Sequence, residues 1–86
     1  MARGTIRYWA SAREAAGTSE EPYDADNLAE ALDAARARHA GPRFEQLLDR
    51  SSILVDGAPV GARDHASVAL PEGAAVEVLP PFAGGC

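Results

Sequence analysis

The dipeptide Asp56-Gly57 constrains the fold of this chain more than any other local feature. It lies between the apolar residues 52–55 and a short apolar segment at residues 58–60. Asp-Gly is favoured at the centre of a tight hairpin turn, where both residues need a positive φ. The sequence therefore predicts two antiparallel strands joined by a two-residue turn, and hence a β-sheet.

Further strands are predicted on both sides of this hairpin. Residues 5–9 are rich in β-branched and aromatic side chains, and residues 18–23 are expected to return the chain beside them. Residues 75–79 alternate in polarity as a last strand, after a turn at residues 71–73. One more short strand is expected near Val68.

One principal helix is predicted after the second strand. Asn27 is a good N-cap, and Glu30 follows at the spacing that stabilises a helix start. Gly41-Pro42 ends this helix, and a short second helix is predicted to run to about Arg50. The apolar face of the principal helix comprises Leu28, Ala31, Leu32, Ala35 and His39.

The segment after the first strand carries a weaker helical signal. Ser11 and Glu14 have the spacing of a capping box, and Gly17 stops the segment, so we expect a short helical loop at most. The resulting order is strand, strand, helix and three strands. This order predicts an α+β domain in which one main helix covers one face of a mixed sheet.

Composition excludes several functions. The chain has 86 residues, enough for one domain, and 13 acidic residues outnumber 8 basic ones to give a net charge of −5. This charge argues against nucleic-acid binding. All the basic residues are Arg, so no lysine side chain is available for a Schiff base, an isopeptide bond or a phosphate loop.

Cysteine and hydropathy patterns suggest the compartment. Cys86 is the single cysteine, which excludes an internal disulfide, and with only His39 and His65 no structural zinc site or bound cofactor is expected. The apolar runs are too short to cross a membrane, and no signal-peptide pattern follows Met1. We therefore expect a cytoplasmic protein that contacts neither membrane nor nucleic acid.

Residues 80–86 form a tail that local structure does not explain. Two prolines prevent the last strand from continuing and hold the chain extended, whereas Ala83, Gly84 and Gly85 add almost no side-chain bulk. The first six residues of the tail reach at most ~20 Å. The sequence thus predicts a domain over residues 1–79 and a tail thin enough to enter a partner's buried active site; an inert, frayed terminus is the alternative.

Several motifs also occur in a fixed order along the chain. An aromatic strand end is followed by Arg13-Glu14, Asp56-Gly57, Pro71-Glu72-Gly73 and the closing residues 78–85. This arrangement resembles the MoaD/ThiS family of sulfur carriers over residues 5–85. The tail is similar to the Pro-Pro-x-Ala-Gly-Gly signature of molybdopterin synthase small subunits, and the resemblance implies a ubiquitin-like β-grasp fold with about five strands.

The resemblance implies a reaction at Gly85. In this family an adenylyltransferase related to ubiquitin-activating enzymes uses ATP and Mg²⁺ to make a glycyl adenylate, and sulfide or a persulfide then displaces AMP. The thiocarboxylate donates sulfur to an acceptor such as the molybdopterin synthase large subunit. On this chain Gly85 would carry the sulfur, while Gly84 and Ala83 would let the tail thread into the partner.

Cys86 departs from the family pattern. While it is attached, the carbonyl of Gly85 belongs to an amide and cannot be adenylated. We therefore expect a peptidase, such as a JAMM-type metalloprotease, to remove Cys86, as happens in sulfur carriers that resemble this chain in bearing residues after Gly-Gly. The alternatives are that Cys86 itself holds sulfur or accepts the Gly85 acyl group, or that it is foreign to the natural protein.

Apolar residues near the tail are candidates for contact with the adenylyltransferase and the acceptor. Side-chain alternation can leave one face of each strand free to form such a patch. The alternative for the aromatic residues of the first strand is that one of them fills the core. The predicted partner-binding residues are Tyr8, Trp9, Leu79, Pro80, Pro81 and Phe82.

Other titratable residues carry weaker signals. His39 is expected to pack at the helix end, and the loop residue His65 is uninformative. The acidic residues of the second strand and the loop after it are interpreted as solvated charges, with steering of basic partners as the alternative. They are Glu20, Glu21, Asp24 and Asp26.

Several functions stay open at this stage. No catalytic triad order or phosphate loop occurs, so the chain is expected to act as a sulfur-donating subunit or co-substrate, most simply in molybdenum cofactor synthesis. Its acceptor could instead serve cysteine, thiazole or specialised-metabolite synthesis. From other classes, the chain could be a ubiquitin-like modifier that forms isopeptide bonds, or a binding module with an inert tail.

Overall fold

The structure, a computed structural model, describes residues 2–81. These residues form a five-stranded sheet with helices packed on one face. The elements in chain order are β1 (Arg3–Tyr8), α1 (Ala10–Ala16), β2 (Glu20–Asp24), α2 (Leu28–Arg38), α3 (Pro42–Arg50), β3 (Ser52–Val55), β4 (Ala58–Pro59), a 3₁₀ turn (His65–Ser67) and β5 (Ala75–Leu79).

The sheet is mixed, and its strand order is β2-β1-β5-β3-β4. β1 and β5 pair in parallel, whereas the other neighbours are antiparallel. Tyr8 is paired in register with Val78, so β1 and β5 end at the same edge of the sheet. The predicted α+β class and the mixed sheet are confirmed.

The predicted hairpin is confirmed at Asp56-Gly57. Their φ angles are 51° and 83°, both positive as a two-residue turn of this kind requires. The Asp56 carboxylate also accepts a 3.0 Å hydrogen bond from the backbone N–H of Ala75, which ties the turn to the start of β5. Residues 58–59 form only a short edge strand.

The start of α2 is also as predicted. Asn27 is the N-cap, and its side chain accepts a 2.9 Å hydrogen bond from the backbone N–H of Glu30. The Glu30 carboxylate in turn accepts one from the backbone N–H of Asp26. The predicted apolar face is the buried face, since Leu28, Ala31, Leu32 and Ala35 are at most 3% exposed.

Three sequence predictions were wrong in detail. α1 is a full helix beginning at Ala10 with Trp9 as its N-cap, so Ser11 lies inside the helix and caps nothing. Three helices are therefore present in residues 2–81, where the sequence indicated one main helix and one short one. Near Val68 the chain forms a 3₁₀ turn and a single bridge at Ala69, because the Asp64 side chain and carbonyl satisfy the turn locally.

The core lies between the helices and one face of the sheet. From β1 and β5 it receives the alternating residues Ile6, Tyr8, Val76 and Val78, each at most 2% exposed. The intervening residues of these strands point to the open face. The tail therefore follows a central strand that is held by neighbours on both sides and by packing from the helices.

Candidate functional site

The end of β5 is the part of the structure from which the tail starts. Leu79 is half-buried, Pro80 is buried and Pro81 is exposed. Leu79 pairs in register with Ser52 of β3, and Val78 pairs with Tyr8 of β1. The strand is thus paired on both sides up to Val78, and its last residue is paired with β3.

Trp9 holds this end of β5 from the side of β1. Its backbone N–H donates to the carbonyl of Val78 at 3.2 Å, and its indole N–H donates to the Glu77 carboxylate at 3.1 Å. The Arg7 guanidinium lies 5.8 Å from the centre of the indole ring, within the range of a cation–π contact. The Trp9 side chain is 41% exposed, so it combines a contact to the tail strand with an apolar surface.

Two of the residues predicted to bind partners lie in the interior. Tyr8 is 2% exposed because strand alternation turns it toward the helices. Pro80, two residues after Val78, is buried on the same face. An exposed patch therefore cannot include their side chains. Trp9, Leu79 and Pro81 keep accessible surface, and their role in partner binding stays a prediction.

Phe82, Ala83, Gly84, Gly85 and Cys86 lie outside the described residues. The predictions that Gly85 carries the sulfur, that Gly84 and Ala83 permit threading, that Phe82 binds a partner and that Cys86 is removed stay predictions. The structure describes β5 and the two prolines that precede these residues.

A buried polar cluster behind Tyr8 was missed by the sequence analysis. Glu21, interpreted there as a solvated charge, is 9% exposed and lies on the helix-facing side of β2. Its Oε2 accepts hydrogen bonds from the Tyr8 hydroxyl and, at 2.7 Å, from His39 Nε2, while its Oε1 lies 3.3 Å from the Arg38 guanidinium. The sequence carried one signal of this burial: side-chain alternation places Glu21 on the same face of the strand as Tyr23, which is buried.

The cluster shifts the pKa values of Glu21 and Tyr8. Burial raises the pKa of Glu21, but hydrogen bonds from Tyr8, His39 and Arg38 outweigh it, and the net pKa is lowered. An ionised carboxylate only accepts hydrogen bonds, so His39 must donate from Nε2. Burial, and then the Glu21 carboxylate, raise the pKa of Tyr8 well above its ordinary value, which keeps the hydroxyl protonated.

Aromatic rings close the cluster on the helix side. The Tyr8 ring meets His39 and Phe44 edge-on at centroid distances of 5.9 and 5.8 Å, and His39 lies 5.0 Å from Phe44. His39 is therefore a packing residue at the end of α2, as expected. The cluster connects β1, β2, α2 and α3 beside the strand end that carries Trp9.

Two absences hold for the described part of the chain. Residues 2–81 contain no group of three or more His, Cys, Asp or Glu side chains placed to hold a metal ion. Within the same range, no helix combines the length and apolarity that a membrane crossing requires.

Comparison with known proteins identifies the class. A sequence model of the ThiS family matches residues 6–85. The structure superposes on small archaeal modifier protein 1 from Methanosarcina acetivorans with a TM-score of 0.83 at 22% identity, covering 99% of this chain and 98% of that one. A search of curated protein sequences gave no significant match.

Two further solved structures extend the likeness to molybdopterin converting factors. A putative molybdopterin converting factor subunit 1 from Pyrococcus furiosus matches with a TM-score of 0.77 at 23% identity, over 94% of this chain and 99% of that one. The protein–protein complex of subunits 1 and 2 of the molybdopterin-converting factor from Helicobacter pylori contains a chain that matches with a TM-score of 0.68 at 19% identity, over 96% and 99%.

The fold is therefore that of the ubiquitin-like β-grasp proteins. The chain belongs to the ThiS family. It is a small protein of the class that contains ThiS/MoaD-like sulfur carriers and ubiquitin-like modifiers.

Proposed function

We propose that this chain is a sulfur carrier in which Gly85 bears a thiocarboxylate, and that it serves as the small subunit of a molybdopterin synthase. The observation that carries the proposal is the position of β5. This central strand is paired with β1 and β3, Trp9 donates hydrogen bonds to its residues Glu77 and Val78, and the Pro-Pro-x-Ala-Gly-Gly sequence follows the strand directly. A firmly held strand followed by a thin tail suits delivery of a reactive group into a partner.

Chemistry at Gly85 requires activation, because a carboxylate is a poor electrophile. In the proposed reaction, the adenylyltransferase binds ATP and Mg²⁺, the Gly85 carboxylate oxygen attacks the α-phosphorus, and pyrophosphate leaves. Sulfide then attacks the acyl carbon, the bond to AMP breaks, and a thiocarboxylate and a proton result. Transfer of the sulfur to the acceptor and hydrolysis of the acyl group restore the carboxylate.

Removal of Cys86 must precede this reaction. The bond between Gly85 and Cys86 is an amide, so hydrolysis is needed to expose the Gly85 carboxylate. We propose that a peptidase, of which a JAMM-type metalloprotease is one candidate, cleaves this bond. The carrier is then made as a precursor that cannot be adenylated before Cys86 is removed.

The partner surface is proposed to include Trp9 and Leu79. Both adjoin the end of β5 and keep accessible apolar surface, which is what a partner that receives the tail must contact. The Helicobacter pylori complex supports a second subunit as the acceptor, because there a similar chain assembles with subunit 2 of the molybdopterin-converting factor.

The proposed acceptor can be tested by reconstitution. The carrier ending at Gly85, converted to its thiocarboxylate, is mixed with the host's molybdopterin synthase large subunit and its pterin precursor. We expect formation of the dithiolene product together with return of the carrier to the carboxylate form, both followed by mass spectrometry. A thiocarboxylate that this acceptor leaves intact, while a cysteine- or thiazole-forming enzyme of the host consumes it, would contradict the molybdopterin assignment but not the carrier function.

A modifier function is the second candidate, and the likeness to small archaeal modifier protein 1 favours it. The chain contains no lysine, so acceptor lysines would have to lie on other proteins. Digests of host proteins would then contain lysines joined to the residues of this tail. Such conjugates, in the absence of any thiocarboxylate, would support the modifier and contradict the carrier.

A further inference from the structure

The outward face of α3 carries a row of residues that the proposed function does not use. Arg43, Gln46, Leu47 and Arg50 are spaced i, i+3, i+4 and i+7, which places them on one side of the helix. The two arginines and Gln46 are exposed, and Leu47 is half-buried. With Ser11 of α1 they line a shallow cavity of about 220 Å³. We call these four residues of α3 the α3 stripe.

The charge of the α3 stripe is poorly neutralised within the described residues. Arg43 lies 4.0 Å from Glu14, but both side chains are more than 70% exposed, and such pairs contribute little. Arg50 forms no salt bridge with any carboxylate of residues 2–81. The acidic residues of α3 do not neutralise the α3 stripe either. Asp49 forms a salt bridge of 3.8 Å with Arg36, and helical periodicity places Glu45 on the other side of the helix.

The α3 stripe lies on the helix side of the sheet, whereas Leu79 points to the other side. α3 packs on the sheet through Phe44 and Leu48, on the face that carries Tyr8 and Val78. Leu79 alternates to the opposite, open face. The α3 stripe and the Leu79 side chain thus lie on opposite sides of the sheet, and the stripe ends at Arg50, two residues before Ser52, the pairing partner of Leu79.

We infer that the α3 stripe is a docking surface for a partner protein that presents two carboxylates roughly 10 Å apart, the rise of seven helical residues. Arg43 and Arg50 start from backbone positions at that spacing, which matches glutamates seven positions apart on a partner helix, and Leu47 between them offers a small apolar contact. The net charge of −5 disfavours a nucleic acid, whereas discrete carboxylates need only the local positive charge. This inference does not depend on the proposed sulfur chemistry.

The test uses the ¹⁵N-labelled chain and a short helical peptide with two glutamates seven positions apart. We expect amide shifts to change at Ser11 and along the α3 stripe, and the binding to weaken as salt is raised. The same peptide with glutamines in place of the glutamates should bind at least fivefold more weakly, a difference of about 1 kcal/mol.

Matched charge reversals locate the surface. Arg50→Glu should weaken binding of the glutamate peptide about fivefold, whereas Arg3→Glu, the same charge change at the opposite end of the sheet, should leave it within about twofold. Thermal unfolding of both variants checks that the fold is kept. No binding of the peptide, equal effects of the two variants, or stronger binding of a single-stranded oligonucleotide at the same residues would overturn the inference.

Discussion

Gly4→Ala is expected to destabilise the domain by about 3 kcal/mol, because a Cβ at this position would overlap atoms that cannot move aside. Gly4 lies in β1 opposite Tyr23 of β2, and the Tyr23 ring passes over it so that the hydroxyl donates to the carbonyl of Ala74 at 3.0 Å. The added methyl group would meet both the Ala74 carbonyl oxygen and the Tyr23 ring. Either β5 moves away from β1 or Tyr23 loses its buried position.

Thermal unfolding measures this effect. For a domain of this size, a loss of about 3 kcal/mol should lower the Tm by roughly 12–24 °C. Gly57→Ala is the control, because a Cβ there meets nothing within 4 Å and only the positive φ of 83° opposes it; we expect a cost of about 1 kcal/mol. If Gly4→Ala proved as mild as Gly57→Ala, the close packing of Tyr23 over β1 would be refuted.

Glu21→Gln is expected to cost about 2 kcal/mol at neutral pH, since it removes the charge that the buried donors require. The Tyr8 hydroxyl and His39 Nε2 donate hydrogen bonds to this carboxylate, and the Arg38 guanidinium forms a salt bridge with it at 3.3 Å. An amide can replace one acceptor oxygen but brings an N–H₂ group toward another donor.

The lowered pKa of Glu21 predicts that the stability of the fold depends on pH. The pKa of Glu21 is lower in the folded state, so its ionised form stabilises the fold above the ordinary glutamate value of 4.5. This stabilisation is lost as the pH falls through the lowered folded pKa. Urea unfolding between pH 7 and pH 3 should therefore show a steeper loss for the natural chain than for Glu21→Gln.

Glu20→Gln is the matched control for Glu21. It makes the same chemical change one residue earlier, on the exposed face of β2, and should leave the urea midpoint at pH 7 nearly unchanged. Equal midpoints for the two variants at pH 7, or a stability of the natural chain that rises below pH 4.5, would show that the cluster does not hold the carboxylate in its ionised form.

The correct predictions rest on short stretches of sequence. The Asp56-Gly57 turn and the Asn27 cap depend on two to four consecutive residues, and each adopts the predicted geometry. The mixed sheet followed from the order of alternating segments. The Gly-Gly tail is a prediction of the same local kind, and it lies outside the described residues.

What the sequence did not predict depends on contacts between distant segments. The environment of Glu21 is built by Tyr8, Arg38 and His39, which lie up to 18 positions away along the chain, and the need for glycine at position 4 arises from Tyr23 and Ala74. α1 was underestimated because its short Ala-rich sequence has little helical signal of its own, and it gains stability from packing of Ala12 in the core.

The central claim is that Gly85 carries the transferable sulfur, and the intact mass of the protein recovered from its own host tests it most directly. We predict a chain that has lost Cys86 and in which one oxygen is replaced by sulfur at Gly85. A chain that retains all 86 residues, and that the host's adenylyltransferase with ATP, Mg²⁺ and sulfide leaves unchanged, would contradict the sulfur-carrier account.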